Sequence, residues 1–188
     1  MYKGDETMKG VDNISNHDLA YVGFMYASKL LGLKGLELIF EDESAFKETY
    51  VHSKYIKEAY IVSLKEQWVE KATKSSILAT VFHEVRHAYQ NAQIEFPQAF
   101  KFKESSETLS TWKYEFEHYQ AASETGGLEE SIEYSKQAVE IDAVAFELVL
   151  LEHLFGYKIN PHESIKTEVE ARKKVLEKQY KTQLNNLK

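Results

Sequence analysis

Ser75–Gln93 reads SSILATVFHEVRHAYQNAQ, and its centre, His83-Glu84-Val85-Arg86-His87, sets two histidines four positions apart around an acidic neighbour. At about 100° of turn per residue, a helix through this stretch brings His83 and His87 onto one face, one turn apart. Both imidazoles can then reach one tetrahedrally coordinated ion. Two neutral imidazoles leave the charge of a Zn²⁺ ion uncancelled, which acidifies a water there, and the carboxylate of Glu84 stands close enough to take its proton. The chain contains no cysteine, so disulfides and thiolate zinc sites are both excluded and any zinc must rest on histidine and carboxylate.

The surroundings of these histidines carry the pattern of a helix with two faces. Ile77, Leu78, Val81, Phe82, Val85, Ala88, Tyr89 and Ala92 recur at helical spacing and form an apolar stripe. Thr80, His83, Glu84, His87 and Asn91 make up the polar remainder. One side is expected in the core and the other along a cleft. The competing reading is an amphipathic helix whose solvent face carries two histidines without purpose. Thr73 or Ser75 can cap its start, and Phe96-Pro97 marks its stop.

With 188 residues, 43% of them apolar and 13% aromatic, the chain suffices for one well-cored domain. Its net charge of −7, with both signs interspersed, argues against a nucleic-acid surface. Met1–Asn16 lacks the basic-then-apolar design of a signal peptide, and no apolar run reaches transmembrane length, so the expectation is a cytoplasmic protein with no membrane partner.

Residues 1–13 read as a flexible leader and 14–158 as the domain proper. Ser15 or Asn16 caps a first helix that ends near Gly32 and packs on the sheet or on the histidine helix. Leu36–Phe40 reads as a strand, as do Thr49–Val51 and Ala59–Leu64, with His52-Ser53-Lys54 as the turn between the last two. Glu43, Glu48 and Glu58 read as solvated, and Gln67–Lys74 as a polar connection. Residues 98–130 form an inserted segment of helical turns and loops, broken at Ser123–Gly127. Glu129–Phe155 reads as one long helix, apolar on most faces from Val139 onward and closed by Gly156. Asn160-Pro161 opens a C-terminal helix, within 159–188, running to about Asn186. Its narrow stripe of Ile165, Val169, Leu176, Tyr180 and Leu187, interrupted by Arg172 and Gln183, predicts light docking on the body. The fold class is therefore α+β.

A catalytic zinc needs a third protein ligand and an open position. The candidates are His118, Glu140, Asp142, Glu147 and His153. Glu140 is preferred, because a carboxylate in so apolar a helix is costly unless it is paired or bound to a metal. Glu147 lies two turns from Glu140 on the same side, and Asp142 points nearly the opposite way, which suits a supporting or packing role. His118, Tyr119, Tyr134 and Arg86 are candidate donors to a developing oxyanion. His52, His153 and His162 read as surface or boundary residues, and Trp68 and Trp112 as core anchors.

H-E-x-x-H is the pattern of zincin metallopeptidases. The order of helix, strands ending in the apolar Ile61–Leu64, H-E-x-x-H helix and Glu-bearing helix resembles the ImmA/IrrE group of gluzincin-like zinc metallopeptidases. In that group the second helix carries Glu, Ala three residues on and Phe six residues on, matched here by Glu140, Ala143 and Phe146. The resemblance covers roughly residues 17–155, and its specific part is the two helices. It implies a zincin-like fold, Zn²⁺ held by His83, His87 and Glu140, and Glu84 as general base and proton shuttle. It also implies hydrolysis of peptide bonds in a protein or peptide substrate, commonly a transcriptional regulator of a mobile element. The alternatives are a non-catalytic zincin scaffold that binds a partner protein, and a helical protein whose histidines meet no metal.

Overall fold

Ser15 accepts a hydrogen bond from Asp18 N and so caps α1, Asn16–Leu31, which Gly32 closes in the left-handed conformation (φ 73°). The computed structural model describes residues 11, 13–120 and 128–185, with backbone alone for 128–131. The expected leader falls mostly outside these residues, as do the expected break at 123–127 and Leu187.

Three strands follow in a mixed sheet of order β1-β3-β2. β1, Glu37–Glu41, runs parallel to β3, Ile61–Lys65, with Leu38 opposite Val62, and β2, Ser53–Ile56, runs antiparallel to β3 with Tyr55 opposite Val62. The first strand lies where the sequence predicts it, but the second does not. The expected turn at 52–54 is the start of β2, and the reversal occurs over Lys57–Tyr60, where Tyr60 N donates to Lys57 O and Tyr60 adopts φ 56°. No Gly, Asn or Pro marks this turn. A tyrosine in the left-handed region is uncommon and costs energy, which the paired strands on either side outweigh.

A single helical turn, α2 (Glu66–Val69), overlaps the start of the expected connection and leads into α3, Lys74–Glu95, whose cap is Thr73 accepting from Ser76 N. α3 is the axis of the molecule. It packs on α1 along one side, on the later helix Ala138–Phe155 along another, and under β2 and β3 on a third. The approach of α1 is close: a Cβ on Gly23 would lie 2.7 Å from Leu78 Cδ2. Burial therefore extends past the predicted stripe to Arg86, Gln90 and Gln93, each 0% exposed. Each fully buried side chain such as Ile77, Phe82 or Phe146 contributes on the order of 1.5–3 kcal/mol.

Beyond a 3₁₀ turn at Pro97–Ala99, the inserted segment contains α4, Ser106–Glu117, anchored by the buried Trp112; Trp68 is half-buried instead, stacked on His52. The predicted helix 129–155 is two helices, α5 (Leu128–Lys136) and α6 (Ala138–Phe155), broken at Gln137 (ψ 136°). The break has side-chain causes. Gln137 Oε1 accepts from Gln120 N and its Nε2 donates to Gln120 O, while the Glu115 carboxylate accepts from the free N–H groups of Ala138 and Val139. An acidic group there also suits the positive end of the helix dipole.

The C-terminal helix begins later than Asn160-Pro161 predicts. His162 Nδ1 accepts from Ser164 N and Ile165 N donates to His162 O, a local turn that delays α7 to Lys166–Asn185. α7 is not lightly docked: Ile165, Val169, Leu176, Tyr180 and Leu184 join the hydrophobic core around α3, and Arg172 enters a buried ion cluster with Asp142. No helix among the described residues is long and apolar enough to cross a membrane.

Candidate metal centre

His83, His87 and Glu140 converge where α3 crosses the first turn of α6. Their ligand atoms are close-set: His83 Nε2 to His87 Nε2 is 3.0 Å, His83 Nε2 to Glu140 Oε2 3.2 Å, and His87 Nε2 to Glu140 Oε1 3.4 Å. Bonds of 2.0–2.1 Å around a tetrahedral zinc imply ligand-to-ligand edges of about 3.3–3.4 Å. The separations here, 3.0–3.4 Å with each histidine nearest a different Glu140 oxygen, are close to that spacing and suit such an ion after small side-chain shifts. Among the described residues this is the only group of three or more such side chains that could hold a metal.

The hydrogen bonds behind the histidines support the same conclusion. His83 Nδ1 lies 3.3 Å from Glu147 Oε2, and His87 Nδ1 lies 2.8 Å from Gln90 Oε1. Both outer nitrogens face acceptors and carry hydrogen, which turns both Nε2 lone pairs inward toward a carboxylate. Acceptors facing one another need a cation among them, a proton or a metal. Burial opposes charge on Glu140, but His87 and His83 outweigh it and hold the carboxyl well below the usual range. Burial likewise opposes protonation of His83, and Glu140 and Glu147 reverse it to raise the ring well above its ordinary value; His87 is raised in the same way by Glu140.

Two phenols complete the carboxylate shell. Tyr119 donates to Glu140 Oε1 and Tyr134 to Oε2, each at 2.7 Å. Burial, then the charge of Glu140, pushes both phenols up, so they remain donors. Ser53 on β2 donates to Glu84 Oε1 at 2.6 Å and aims the carboxylate. These groups line a cleft of about 1020 Å³ floored by His83, Glu84, His87 and Asn91 of α3, with β2 on one side and Phe116 and Tyr119 of the inserted segment on the other.

Of the other ligand candidates, Glu147 stands behind His83 and the rest are elsewhere. His118 is exposed just past the end of α4 with Nδ1 on Tyr114 O, and His153 Nε2 is 2.8 Å from Leu184 O. Asp142 faces away and pairs with Arg86, whose Nε and Nη2 donate to it at 2.8 and 3.0 Å. Arg86 is therefore occupied and cannot serve an oxyanion; Tyr119 and Tyr134 do reach the site, with their single hydrogens given to Glu140. Sequence reasoning missed Gln90, although its spacing of three from His87 on one helix offers the signal. It also missed Ser53, hidden by the misplaced turn. Comparison with protein families, with curated proteins and with solved structures found no match.

Proposed function

We propose that this chain is a zinc-dependent metallopeptidase with a zincin-like fold, acting in the cytoplasm on a protein or peptide substrate, a transcriptional regulator being the substrate type its resemblance to the ImmA/IrrE group suggests. The observation that carries the reading is the convergence of His83, His87 and Glu140, with ligand atoms close enough to share one ion and Glu84 beside them in a cleft. A zinc ion bound by His83, His87 and Glu140 would supply Lewis acidity, acidifying a water and polarising a carbonyl.

The remaining work falls to the chain itself. Glu84, fixed by Ser53, takes the proton of the attacking water and passes it to the leaving amine. Tyr119 and Tyr134 hold Glu140 in place, each giving its one hydrogen to the carboxylate. β2 is an edge strand, and Ser53, Lys54 and Tyr55 line the cleft, so an extended peptide can lie along it and share main-chain hydrogen bonds.

Native mass spectrometry of the protein and of its Glu140→Gln and His118→Gln variants tests the site. One zinc per chain, lost only in Glu140→Gln, is expected. Cleavage of a mixed peptide pool by the wild type, lost in a Glu84→Gln variant that retains zinc, is expected in parallel. Zinc without cleavage would leave a scaffold that binds a partner, and no zinc would remove the hydrolase altogether.

A further inference from the structure

Behind His87 a chain of buried polar groups runs from the candidate centre to the C-terminal helix. Gln90 donates both hydrogens of its amide, to Asp142 Oδ2 at 2.7 Å and to Val139 O at 2.9 Å. The amide cannot flip without facing its oxygen toward these two acceptors, so Oε1 is committed to His87 Nδ1 at 2.8 Å. Asp142 is held in turn: Arg86 donates to both its oxygens, and Arg172 Nε of α7 donates to Oδ1 at 2.6 Å. Glu104 balances the two guanidinium groups, 3.3 Å from Arg86 Nη2 and 2.9 Å from Arg172 Nη2.

We propose that Arg172 is a positioning residue for the metal centre, acting through Asp142 and Gln90 to fix the tautomer and ring orientation of His87. The proposal rests on the zinc reading above. The two histidines are oriented by different devices. His83 meets a carboxylate directly, in Glu147. His87 meets a neutral amide, which could face either way, and the Asp142 charge one link further on, together with Val139 O, decides which end it presents. Arg86 belongs to the same helix as His87. Arg172 does not, so through it the docking of α7 contributes to the geometry of a ligand on α3. Outer groups of this kind change metal affinity by about 10–100-fold when removed.

The test is the zinc dissociation constant, measured by competition with a chromogenic chelator on the full chain, with urea unfolding midpoints alongside. Gln90→Met is expected to weaken zinc by about 10–100-fold and Arg172→Met by a smaller factor, roughly tenfold. Groups acting in series are not additive, so the double variant should bind no more weakly than Gln90→Met alone. Arg172→Lys, which keeps a cation beside Asp142, should recover part of the loss. Lys173→Met, which removes a neighbouring contact of α7 to Glu152, should bind zinc as the wild type does. Wild-type affinity in Arg172→Met, or a double variant weakened by the product of the single effects, would overturn the proposal. Should Arg172→Met fail to fold, Arg172→Lys decides: weaker zinc at an unchanged midpoint supports the relay, and wild-type affinity overturns it. A wild type that binds no zinc is a different failure, since it removes the centre itself and the relay with it.

Discussion

Tyr134 donates its phenol hydrogen to Glu140 Oε2 at 2.7 Å, although the two residues are only six positions apart. In a continuous helix they would be separated by about 9 Å along the axis and roughly 240° around it, beyond reach of one another. The break at Gln137 folds α5 back so that the phenol meets the carboxylate, and it places Glu140 in the first turn of α6. The break and the site are thus one arrangement.

Gln137→Ala should therefore loosen the centre from outside it. The side chain bonds Gln120 N and O and Tyr134 O, and losing such bonds costs about 1–3 kcal/mol. A lowered urea midpoint together with weaker zinc binding is the expected result. A loss of stability with unchanged zinc affinity would separate the break from the metal site.

Zinc should stabilise the fold by mass action. At a thousandfold excess over its dissociation constant the ion adds about 4 kcal/mol, roughly 8–16 °C in melting temperature for a chain of this size. His87→Ala should abolish the shift, while His118→Ala, on the exposed end of α4, should keep it. Differential scanning fluorimetry with and without chelator reads both.

The legible parts of this fold share a local cause. Ser15, Thr73, Gly32 and Gly156 mark helix ends through their own backbone chemistry, and the four-residue spacing of His83 and His87 carries its geometry within one helix. Glu140 stood out because burying it without a partner is costly. What was not legible depends on partners distant in sequence. Glu115 and Gln120 break the long helix from outside, and no residue between 129 and 155 announces it. Ser53 joins the site across 31 positions, and Arg172, which looks like an interruption in the stripe of α7, is the partner of Asp142 across 30.

Ser53→Ala tests the aim of the proposed base. Removing the 2.6 Å bond frees the Glu84 carboxylate to leave its working rotamer without altering any metal ligand. Zinc content should be unchanged and KM nearly so, while kcat falls on the order of tenfold, equivalent to about 1.4 kcal/mol of lost transition-state stabilisation. A variant with full kcat would show that Glu84 needs no such support.

Asp142 gives the buried ion cluster a pH signature, best read on the chelated protein so that loss of metal does not contribute. Burial alone would raise its pKa; Arg86 and then Arg172 more than reverse this and bring it from an ordinary 3.8 down to about 2. The unfolded chain therefore takes up this proton before the native one does. The stabilisation from Asp142 is complete above about pH 5 and is lost as pH falls toward 2, a change of about 2 kcal/mol. Asp142→Asn removes the titration and leaves Glu104 as the one carboxylate beside the buried Arg86 and the half-buried Arg172, costing about 3–5 kcal/mol at neutral pH. Urea unfolding from pH 7 to pH 2 should thus show a gap between wild type and variant that is widest above pH 5 and narrows by about 2 kcal/mol on acidification. A gap of constant width would mean that the arginines do not hold this carboxyl low.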